Sequence, residues 1–342
     1  MLMNREPTMI SAMDRRQLFR RCACSMLAAG LGSAWARYAE AATTSNEDSL
    51  PNTPAMKAQE VAPNCWYVEG LSALGSPANQ NFISNAGFIV TSAGVVVIDA
   101  LGSPALAERL IGEIKKITPK PITHVILTHY HADHVYGLQA FKAVGARIIA
   151  HQAGREYLYA DTARLRLQAS REDLAPWINE KTHLVEADEW ISGPKELQVG
   201  DTKLMLQPVG PAHTPEDMAI YVPASKALYA GDLVFRNRIP FVGQADSRNW
   251  ITSLDKLLQF DAVVVVPGHG PASREARKDM ELTRDYLVYL RKTMGAAAQD
   301  MTPFDEAYKA TDWSAFEHLP LFGAANRMNA YNTYLLMEHE TP

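Results

Sequence analysis

Short apolar runs rich in β-branched and aromatic residues recur along the chain from Cys65 onward, separated by turns of Gly, Asn and Ser. Runs of this length and composition predict strands rather than helices. The first four follow one another closely, which is typical of an antiparallel meander. A helical periodicity at 104–117 then separates them from two further runs. The predicted strands of this half are 65–68, 82–83, 87–91, 95–99, 124–128 and 147–150.

The second half of the chain repeats this alternation of strands and helices. Strand patterns return at 203–209, 218–222 and 227–230, and a run of valines at 262–266 forms the last apolar segment. Strands that alternate with helices in two halves predict a mixed α/β protein, a β-sandwich with helices on both faces. The predicted helices are 104–117, 135–144, 155–180, 250–259, 274–293 and 324–338.

The composition is that of an ordinary globular protein, with 47% hydrophobic residues, 21% charged residues and a net charge of −5 over 342 residues. A slightly acidic chain gives no electrostatic reason to expect nucleic acid as a partner. No apolar run approaches the roughly 18–20 residues that a membrane span needs. The composition therefore favours a solvated globular enzyme that acts on a small molecule.

The first forty residues have a different character from the rest. The pair Arg15-Arg16 and the weakly hydrophobic stretch at 22–36 are typical of a twin-arginine export signal, and small-x-small cleavage patterns follow. We therefore predict a signal peptide at 1–41, a linker at 42–60, and export to the periplasm.

Side chains that bind first-row metals are concentrated directly after the predicted strand 124–128. His129, His131, Asp133 and His134 fall within six residues there. Imidazole and carboxylate groups are suitable zinc ligands. Burying four of them without a metal would be costly, because each needs a polar partner. The segment is therefore predicted to bind metal.

Three later residues extend this segment into a site. His213, Asp232 and His269 each lie in or beside a Gly-containing turn that follows a predicted strand. A single His or Asp in such a turn is usually structural. Four strand-end segments of this kind in one chain indicate a shared metal centre.

The His-x-His-x-Asp-His loop, followed by His, Asp and His on later loops, resembles the signature of the metallo-β-lactamase superfamily. The resemblance covers about 64–273. It implies a four-layer αββα sandwich as the catalytic domain, at 61–275, with a C-terminal helical extension at 276–342 packed on the same domain. It also implies two zinc ions bridged by Asp232. The implied ligands are His129, His131 and His213 for the first zinc, and Asp133, His134 and His269 for the second.

A closer resemblance is to the periplasmic zinc metallohydrolases associated with quinoprotein relay systems and sulfur-oxidation clusters. It rests on the twin-arginine leader, the Pro-Gly-His-Gly-Pro turn at 267–271 and the tail motif at 326–335. This resemblance implies a periplasmic quinoprotein or another redox-chain component as a partner. It brings no established substrate with it.

The expected chemistry is metal-assisted hydrolysis of a small molecule. Two neighbouring zinc ions lower the pKa of a shared water towards about 7, and the hydroxide then attacks a carbonyl ester, thioester, lactone or amide. Asp133 would orient the nucleophile and pass a proton to the leaving atom. Iron and manganese are alternative metals, because His and carboxylate ligands suit them too. The predicted substrate-binding residues, chosen for their closeness to the ligand loops, are Tyr130, Tyr136, Phe235 and Arg236.

Two other functions stay open on the sequence. β-Lactam hydrolysis is one, although true metallo-β-lactamases typically carry Cys or Ser where this chain has Asp232, and a bridging Asp resembles thioesterases and lactonases. The other is a non-catalytic accessory protein of a periplasmic redox chain. The complete ligand set argues for catalysis, because a structural zinc needs only four ligands.

Overall fold

The computed structural model describes residues 54–243 and 245–340. The predicted signal peptide at 1–41 lies outside these residues, as does most of the predicted linker. The first strand starts at Gln59, so the last two residues of the predicted linker belong to a sheet. Within the described residues, no helix combines the length and the hydropathy that crossing a bilayer requires.

Twelve strands of the described residues form two sheets. They are β1 (Gln59–Ala62), β2 (Cys65–Val68), β3 (Ala86–Val90), β4 (Val95–Ile98), β5 (Ile122–Ile126), β6 (Arg147–His151), β7 (Glu189–Ile191), β8 (Lys195–Val199), β9 (Thr202–Pro208), β10 (Met218–Val222), β11 (Ala227–Phe235) and β12 (Val264–His269). The first sheet holds β1 to β7 in sequence order, antiparallel up to β4 and parallel beyond it. The second has the order β12-β11-β10-β9-β8, and only β11 and β12 pair in parallel.

Helices pack on the outer faces of both sheets. They are α1 (Pro104–Ile117), α2 (Ala132–Val135), α3 (Leu138–Ala143), α4 (Gly154–Tyr159), α5 (Asp161–Asp173), α6 (Ser247–Leu257), α7 (Ala276–Gln299), α8 (Phe304–Ala310) and α9 (Phe322–His339). Helix α1 shows why these segments are helical. Ser103 caps it by accepting a hydrogen bond from the Leu106 N–H, Pro104 fills its first position, and Leu106, Leu110 and Ile114 form its buried stripe.

Three apolar clusters fill the spaces between the layers of the protein. The middle one joins the two sheets, with Ile98 and Ile126 from the first sheet and Leu206 and Ile220 from the second. A second cluster joins the first sheet to α1 and α3. The third joins the second sheet to α6, α7 and α9. Helix, sheet, sheet and helix therefore stack in four layers, as predicted.

Three local predictions were wrong. The predicted helix 155–180 is instead α4 and α5, which are separated by the extended backbone at Ala160, and α5 ends at Asp173. Phe82 and Ile83, predicted as a strand, lie in an irregular segment that follows Gln80 and Asn81, both with positive φ. The predicted helix 135–144 is divided into α2 and α3 at Gly137. The Gly137 N–H donates to the Leu101 carbonyl (3.2 Å) instead of within the helix, and an added Cβ there would lie 2.0 Å from the neighbouring Ala100 carbonyl oxygen.

The C-terminal helices are fixed to the second sheet's side of the protein by buried polar groups as well as apolar ones. The Asn329 side chain on α9 accepts a hydrogen bond from the Val242 N–H (3.0 Å) and donates to the Pro240 carbonyl (2.7 Å) and the Tyr286 hydroxyl (3.0 Å). These bonds tie α9 and α7 to the loop between β11 and α6. That loop reaches the site described below.

Contacts between the sheets gather four loops at one edge of the sandwich. The Met218 N–H donates to the Thr128 carbonyl (2.9 Å), which joins β10 to the loop after β5. The Asn85 N–H donates to the Gly268 carbonyl (2.8 Å), which joins β3 to the end of β12. Parallel pairing sets Phe235 of β11 opposite His269 of β12. The four loops that carry the predicted ligands therefore meet.

Candidate metal centre

The structure brings all seven predicted ligands together in two adjoining groups. Within each group the potential ligand atoms lie within 4.8 Å of one another. All the members are buried except His131 and Asp133, which are partly exposed. The first group is His129, His131, His213 and Asp232, and the second is Asp133, His134 and His269.

Asp232 lies between the two groups. Its Oδ2 atom is 3.3 Å from His213 Nε2 in the first group and 3.3 Å from His269 Nε2 in the second. Its Oδ1 atom is 3.2 Å from His134 Nε2. Asp133 completes the second group, with its Oδ2 atom 3.3 Å from His269 Nε2 and 3.6 Å from His134 Nε2. A single carboxylate thus contacts both halves of the cluster.

Hydrogen bonds to the far side of three imidazoles determine which ring nitrogen faces the cluster. Nδ1 of His134 donates to Asp99 (2.9 Å), and Nδ1 of His269 donates to the Ile83 carbonyl (2.6 Å). The Thr128 hydroxyl gives its hydrogen to Asp99, so it accepts from Nδ1 of His129 (2.9 Å). In all three rings Nε2 therefore faces the cluster, the arrangement that metal-binding histidines adopt.

The seven clustered side chains suit metal binding better than they suit hydrogen bonding to one another. The buried atoms His129 Nε2, His134 Nε2 and Asp232 Oδ1 have no hydrogen-bond partner among the described residues. Leaving such atoms unsatisfied costs about 1–3 kcal/mol each. His213 Nε2 and His131 Nδ1 face each other at 2.9 Å, close to the roughly 3.3 Å expected between two nitrogens on a tetrahedral zinc. The donor set of nitrogen and carboxylate oxygen suits zinc.

Burial and neighbouring charges together determine the protonation states in the cluster. Burial lowers the pKa of His131 to about 3 and that of His129 well below its usual range, so both rings are neutral. Burial opposes ionisation of Asp232, but His269 and His134 outweigh it and hold the pKa of this carboxyl well below its usual range. Burial also opposes protonation of His134, yet Asp232, Asp133 and Asp99 raise the pKa of His134 well above its usual range. A metal ion at His134 therefore has to displace a proton.

Asp99 was missed as a functional residue by the sequence reasoning. It follows β4 and has a positive φ of 61°, which Asp tolerates better than most residues. Its carboxylate accepts from the Thr128 N–H (2.8 Å), the Thr128 hydroxyl (2.8 Å) and His134 Nδ1. Asp99 therefore orients His134 directly and His129 through Thr128. In the sequence, a single Asp at the end of a strand cannot be distinguished from an Asp that only stabilises a turn.

We expect Asp99→Asn to lower metal affinity about 10- to 100-fold, the usual effect of removing a partner that orients a metal-binding histidine. The amide keeps the shape and tolerates the positive φ, but it no longer provides both carboxylate oxygens as acceptors. Competition with a chromophoric chelator measures the change. Asp312→Asn, an exposed position that caps Ser314, is the matched control. Equal metal affinity in the two variants would contradict the orienting role of Asp99.

A cavity of about 580 Å³ opens over side chains of both groups. His131, Asp133, Asp232 and His269 form its floor. Its volume is typical of a site for a small molecule. Its walls include Leu74, Tyr157, Arg166, Arg238 and Phe241.

None of the four predicted substrate-binding residues lies on the wall of this cavity. Tyr130 and Tyr136 are buried in the cluster between the first sheet and its helices. Phe235 stacks on the His269 ring behind the ligands (centroids 5.3 Å apart). Arg236 is paired with the buried Asp279 (3.1 Å). Nearness in sequence to the ligands does not show which way a side chain points, because alternate residues of a strand face opposite sides.

Two polar residues close to His213 in the chain, Thr214 and Asp217, do not orient its ring. The Asp217 carboxylate accepts from the Thr214 N–H (2.6 Å) and the Thr214 hydroxyl (2.9 Å). Neither side chain hydrogen-bonds to His213. They stabilise the turn that carries it instead.

Comparison with known proteins identifies the family. The sequence model of the metallo-beta-lactamase superfamily matches residues 80–269, which is more than half of the chain and includes all seven clustered side chains. The chain belongs to the metallo-beta-lactamase superfamily. This confirms the family that the sequence motif predicted, and the two sheets with their outer helices confirm the predicted class of fold.

Relatives with described activities match parts of the chain. A linear primary-alkylsulfatase from Pseudomonas sp. is 26% identical over 247 residues, which cover 61% of this chain and 46% of that protein. A metallo-beta-lactamase type 2 from Bacillus sp. is 30% identical over 192 residues, which cover 55% of this chain and 66% of that protein. The chain therefore spans less than two thirds of the length of either relative.

Solved structures show the same fold. A metallo-beta-lactamase from Pontibacter korlensis superposes with a TM-score of 0.55 at 22% identity and covers 68% of this chain and 99% of its own. The sec-alkylsulfatase Pisa1 from Pseudomonas sp. superposes with a TM-score of 0.62 at 20% identity and covers 82% of this chain and 50% of its own. At these identities the likeness concerns the fold alone.

Proposed function

We propose that this chain is a dinuclear zinc hydrolase that cleaves a carbonyl ester, thioester, lactone or amide of a small molecule. The observation that carries the proposal is the position of Asp232 between two groups of buried ligands. A purely structural zinc uses four ligands in one closed group. Seven ligands divided by a shared carboxylate, beneath a cavity, provide two metal positions that a substrate can reach.

When bound, two zinc ions would supply Lewis-acid chemistry and a nucleophilic hydroxide at neutral pH. His129, His131 and His213 would hold one ion, Asp133, His134 and His269 would hold the other, and Asp232, which lies between the two groups, would contribute to both. The protein's contribution is to hold these side chains in place, through Asp99 and the Ile83 carbonyl, and to orient the substrate in the cavity.

Asp133 has a second role in the proposal. It is the partly exposed carboxylate on the floor of the cavity, with a side-chain exposure of 18%. Burial opposes its ionisation, but His134 and His269 lower the pKa of Asp133, so it is ionised at neutral pH. An ionised carboxylate beside the reacting atoms can orient the attacking oxygen and carry its proton to the leaving atom.

The proposal includes location and partner. We place the protein in the periplasm, after export through the twin-arginine signal at 1–41, and among the zinc metallohydrolases that accompany quinoprotein and sulfur-oxidation systems. The arginine pair of the leader and the Pro-Gly-His-Gly-Pro turn at 267–271 support this subgroup. A quinoprotein or another redox-chain protein is the proposed partner.

A substrate panel tests the proposal against its alternatives. The purified protein, with and without added zinc, is assayed on an aryl ester, a thioester, a lactone, a cephalosporin and an alkyl sulfate. We expect zinc-dependent turnover of at least one carbonyl substrate. Turnover of the cephalosporin alone would favour the β-lactamase alternative, and turnover of the alkyl sulfate alone would shift the reaction to sulfate esters. A zinc-loaded protein that turns over none of them contradicts hydrolysis and favours the accessory role.

A further inference from the structure

Arg238 is a buried arginine on the wall of the cavity. It lies in the loop between β11 and α6, and only 7% of its surface is exposed. It shares the cavity with Asp133, Asp232 and His269, the ligands on the floor. Its guanidinium also lies over the Phe235 ring, 5.7 Å from the centroid. The side chain is therefore held against the metal centre rather than extended into solvent.

The Arg238 guanidinium has N–H groups that lack hydrogen-bond acceptors. Its Nε atom donates to the Ile239 carbonyl at 3.4 Å, which is a long bond. Its Nη1 atom is 3.2 Å from His269 Nδ1, but that nitrogen carries its own hydrogen, because it donates to the Ile83 carbonyl. None of the four N–H groups on Nη1 and Nη2 therefore has a usable acceptor among residues 54–243 and 245–340.

The charge of Arg238 is also unbalanced locally. Buried arginines are normally paired, since an unpaired buried charge is costly. Within the described residues Arg238 makes no ion pair with a carboxylate. Burial lowers the pKa of Arg238, and Asp232 and Asp133 act against that shift from a distance. In the proposed function these two carboxylates bind the metal ions, so they do not neutralise the guanidinium.

Hydrogen bonds hold the backbone of the loop around Arg238. The Ile239 N–H donates to the Pro320 carbonyl (3.1 Å), and Asn329 holds the backbone at Pro240 and Val242 through the two hydrogen bonds described above. A guanidinium that is held in position before the ligand arrives binds at a smaller entropic cost than a flexible one. The C-terminal helix α9 therefore helps to hold the loop that carries Arg238 in place.

We propose that Arg238 is the anion-binding residue of this cavity, and that the substrate carries a carboxylate or a similar oxyanion close to its reacting bond. The inference rests on the proposed hydrolase function and narrows its substrate class. A planar guanidinium with free terminal N–H groups suits a two-oxygen anion. The exposed side chains of Leu74 and Phe241 at the same cavity provide apolar contact for the rest of the molecule.

A matched pair of esters tests the inference on the zinc-loaded full chain. 4-Acetoxybenzoate carries a carboxylate, and 4-methylphenyl acetate has a methyl group in the same position. We expect Arg238→Gln to raise KM for 4-acetoxybenzoate about 10- to 100-fold with kcat little changed, because a charge-assisted hydrogen bond is worth about 1.5–3 kcal/mol in ground state and transition state alike. KM for the neutral ester should change less than threefold.

Two further variants separate recognition from stability. Arg238→Lys keeps the charge and should recover part of the preference for the anion. Arg164→Gln removes an exposed arginine of α5 that is paired with Asp161, and it should behave like the wild type. An equal change in KM for both esters in Arg238→Gln, or no change for either, overturns the inference.

Equilibrium binding of 4-hydroxybenzoate, measured by calorimetry, separates this inference from the proposed function. A Kd that rises about 10- to 100-fold in Arg238→Gln supports the anion site even if no ester is turned over; in that case only the hydrolase proposal fails. Turnover of the esters with an unchanged Kd overturns the anion site and leaves the hydrolase. A wild-type protein that does not bind 4-hydroxybenzoate also overturns it.

Discussion

Asp232→Asn will lower kcat/KM at least about 1,000-fold and will reduce the bound metal from two ions to one or none. The loss exceeds the 10- to 100-fold typical of residues behind the ligands, because Asp232 itself contacts both groups. Its oxygens lie 3.2–3.3 Å from His134, His213 and His269. An amide has nearly the same shape, but it lacks the negative charge and one of the two acceptor oxygens.

Activity and metal content have to be measured on the same samples of Asp232→Asn. His131→Ala should lose both together in the same way. Asp261→Asn is the matched control, since Asp261 is an exposed partner of Lys226 away from the cavity. Thermal unfolding of each variant shows that the chain is folded. Full turnover by Asp232→Asn with its zinc content unchanged would contradict the assignment of this residue.

Gly268→Ala will displace Asp232, the carboxylate that contacts both groups, although it changes none of the seven clustered side chains. A Cβ at this position would lie 1.9 Å from Asp232 Oδ1 and 2.7 Å from the Gly231 carbonyl carbon. Gly231 is paired with the adjacent Pro267 in the β11–β12 ladder, so the backbone has little room to move. The Asp232 carboxylate must shift, so its Oδ1 atom loses its position 3.2 Å from His134 Nε2. We expect at least about a 100-fold loss of kcat/KM and a free energy of unfolding lower by about 1–3 kcal/mol, as overpacking usually costs.

Gly112→Ala provides the matched control for this substitution. Gly112 is in the interior of α1, and nothing lies within 4 Å of a Cβ added there. The same substitution should therefore raise the free energy of unfolding by about 0.5–1 kcal/mol and leave kcat/KM unchanged. Denaturant titration and steady-state kinetics measure both quantities. A Gly268→Ala protein with the metal content and activity of Gly112→Ala would show that the close approach at Gly268 is unimportant.

The parts of the molecule that could be predicted from sequence are those with a strong local signal. Helix α1 was predicted with its observed bounds, because Ser103, Pro104 and an apolar stripe all agree. The strand β10 was predicted equally well from a continuous apolar run. The short edge strands β7 and β8 were missed, since their mixed polar and apolar residues lack a clear period. The break at Gly137 accompanies contacts with the distant Leu101 and Ala100 carbonyls, which no local pattern records.

The candidate site also has a part that could be predicted from the sequence and a part that could not. The seven ligands could be found because His and Asp are uncommon in groups and each follows a strand that the sequence reveals. Arg238 and Asp99 depend on which neighbour each side chain meets. Asp99 lies 29 positions before Thr128 in the chain, and Arg238 lies 31 positions before His269. Spacing within a motif contains no information about such contacts, and the cavity walls are therefore visible only in the folded protein.

The most direct test of this account is the metal content of the purified protein, measured by elemental analysis as equivalents per folded chain after incubation with zinc and removal of excess ion. Two buried groups that share Asp232 predict two equivalents, retained at neutral pH and lost on acidification as protons compete for the histidines. A folded chain that retains no divalent metal would contradict it.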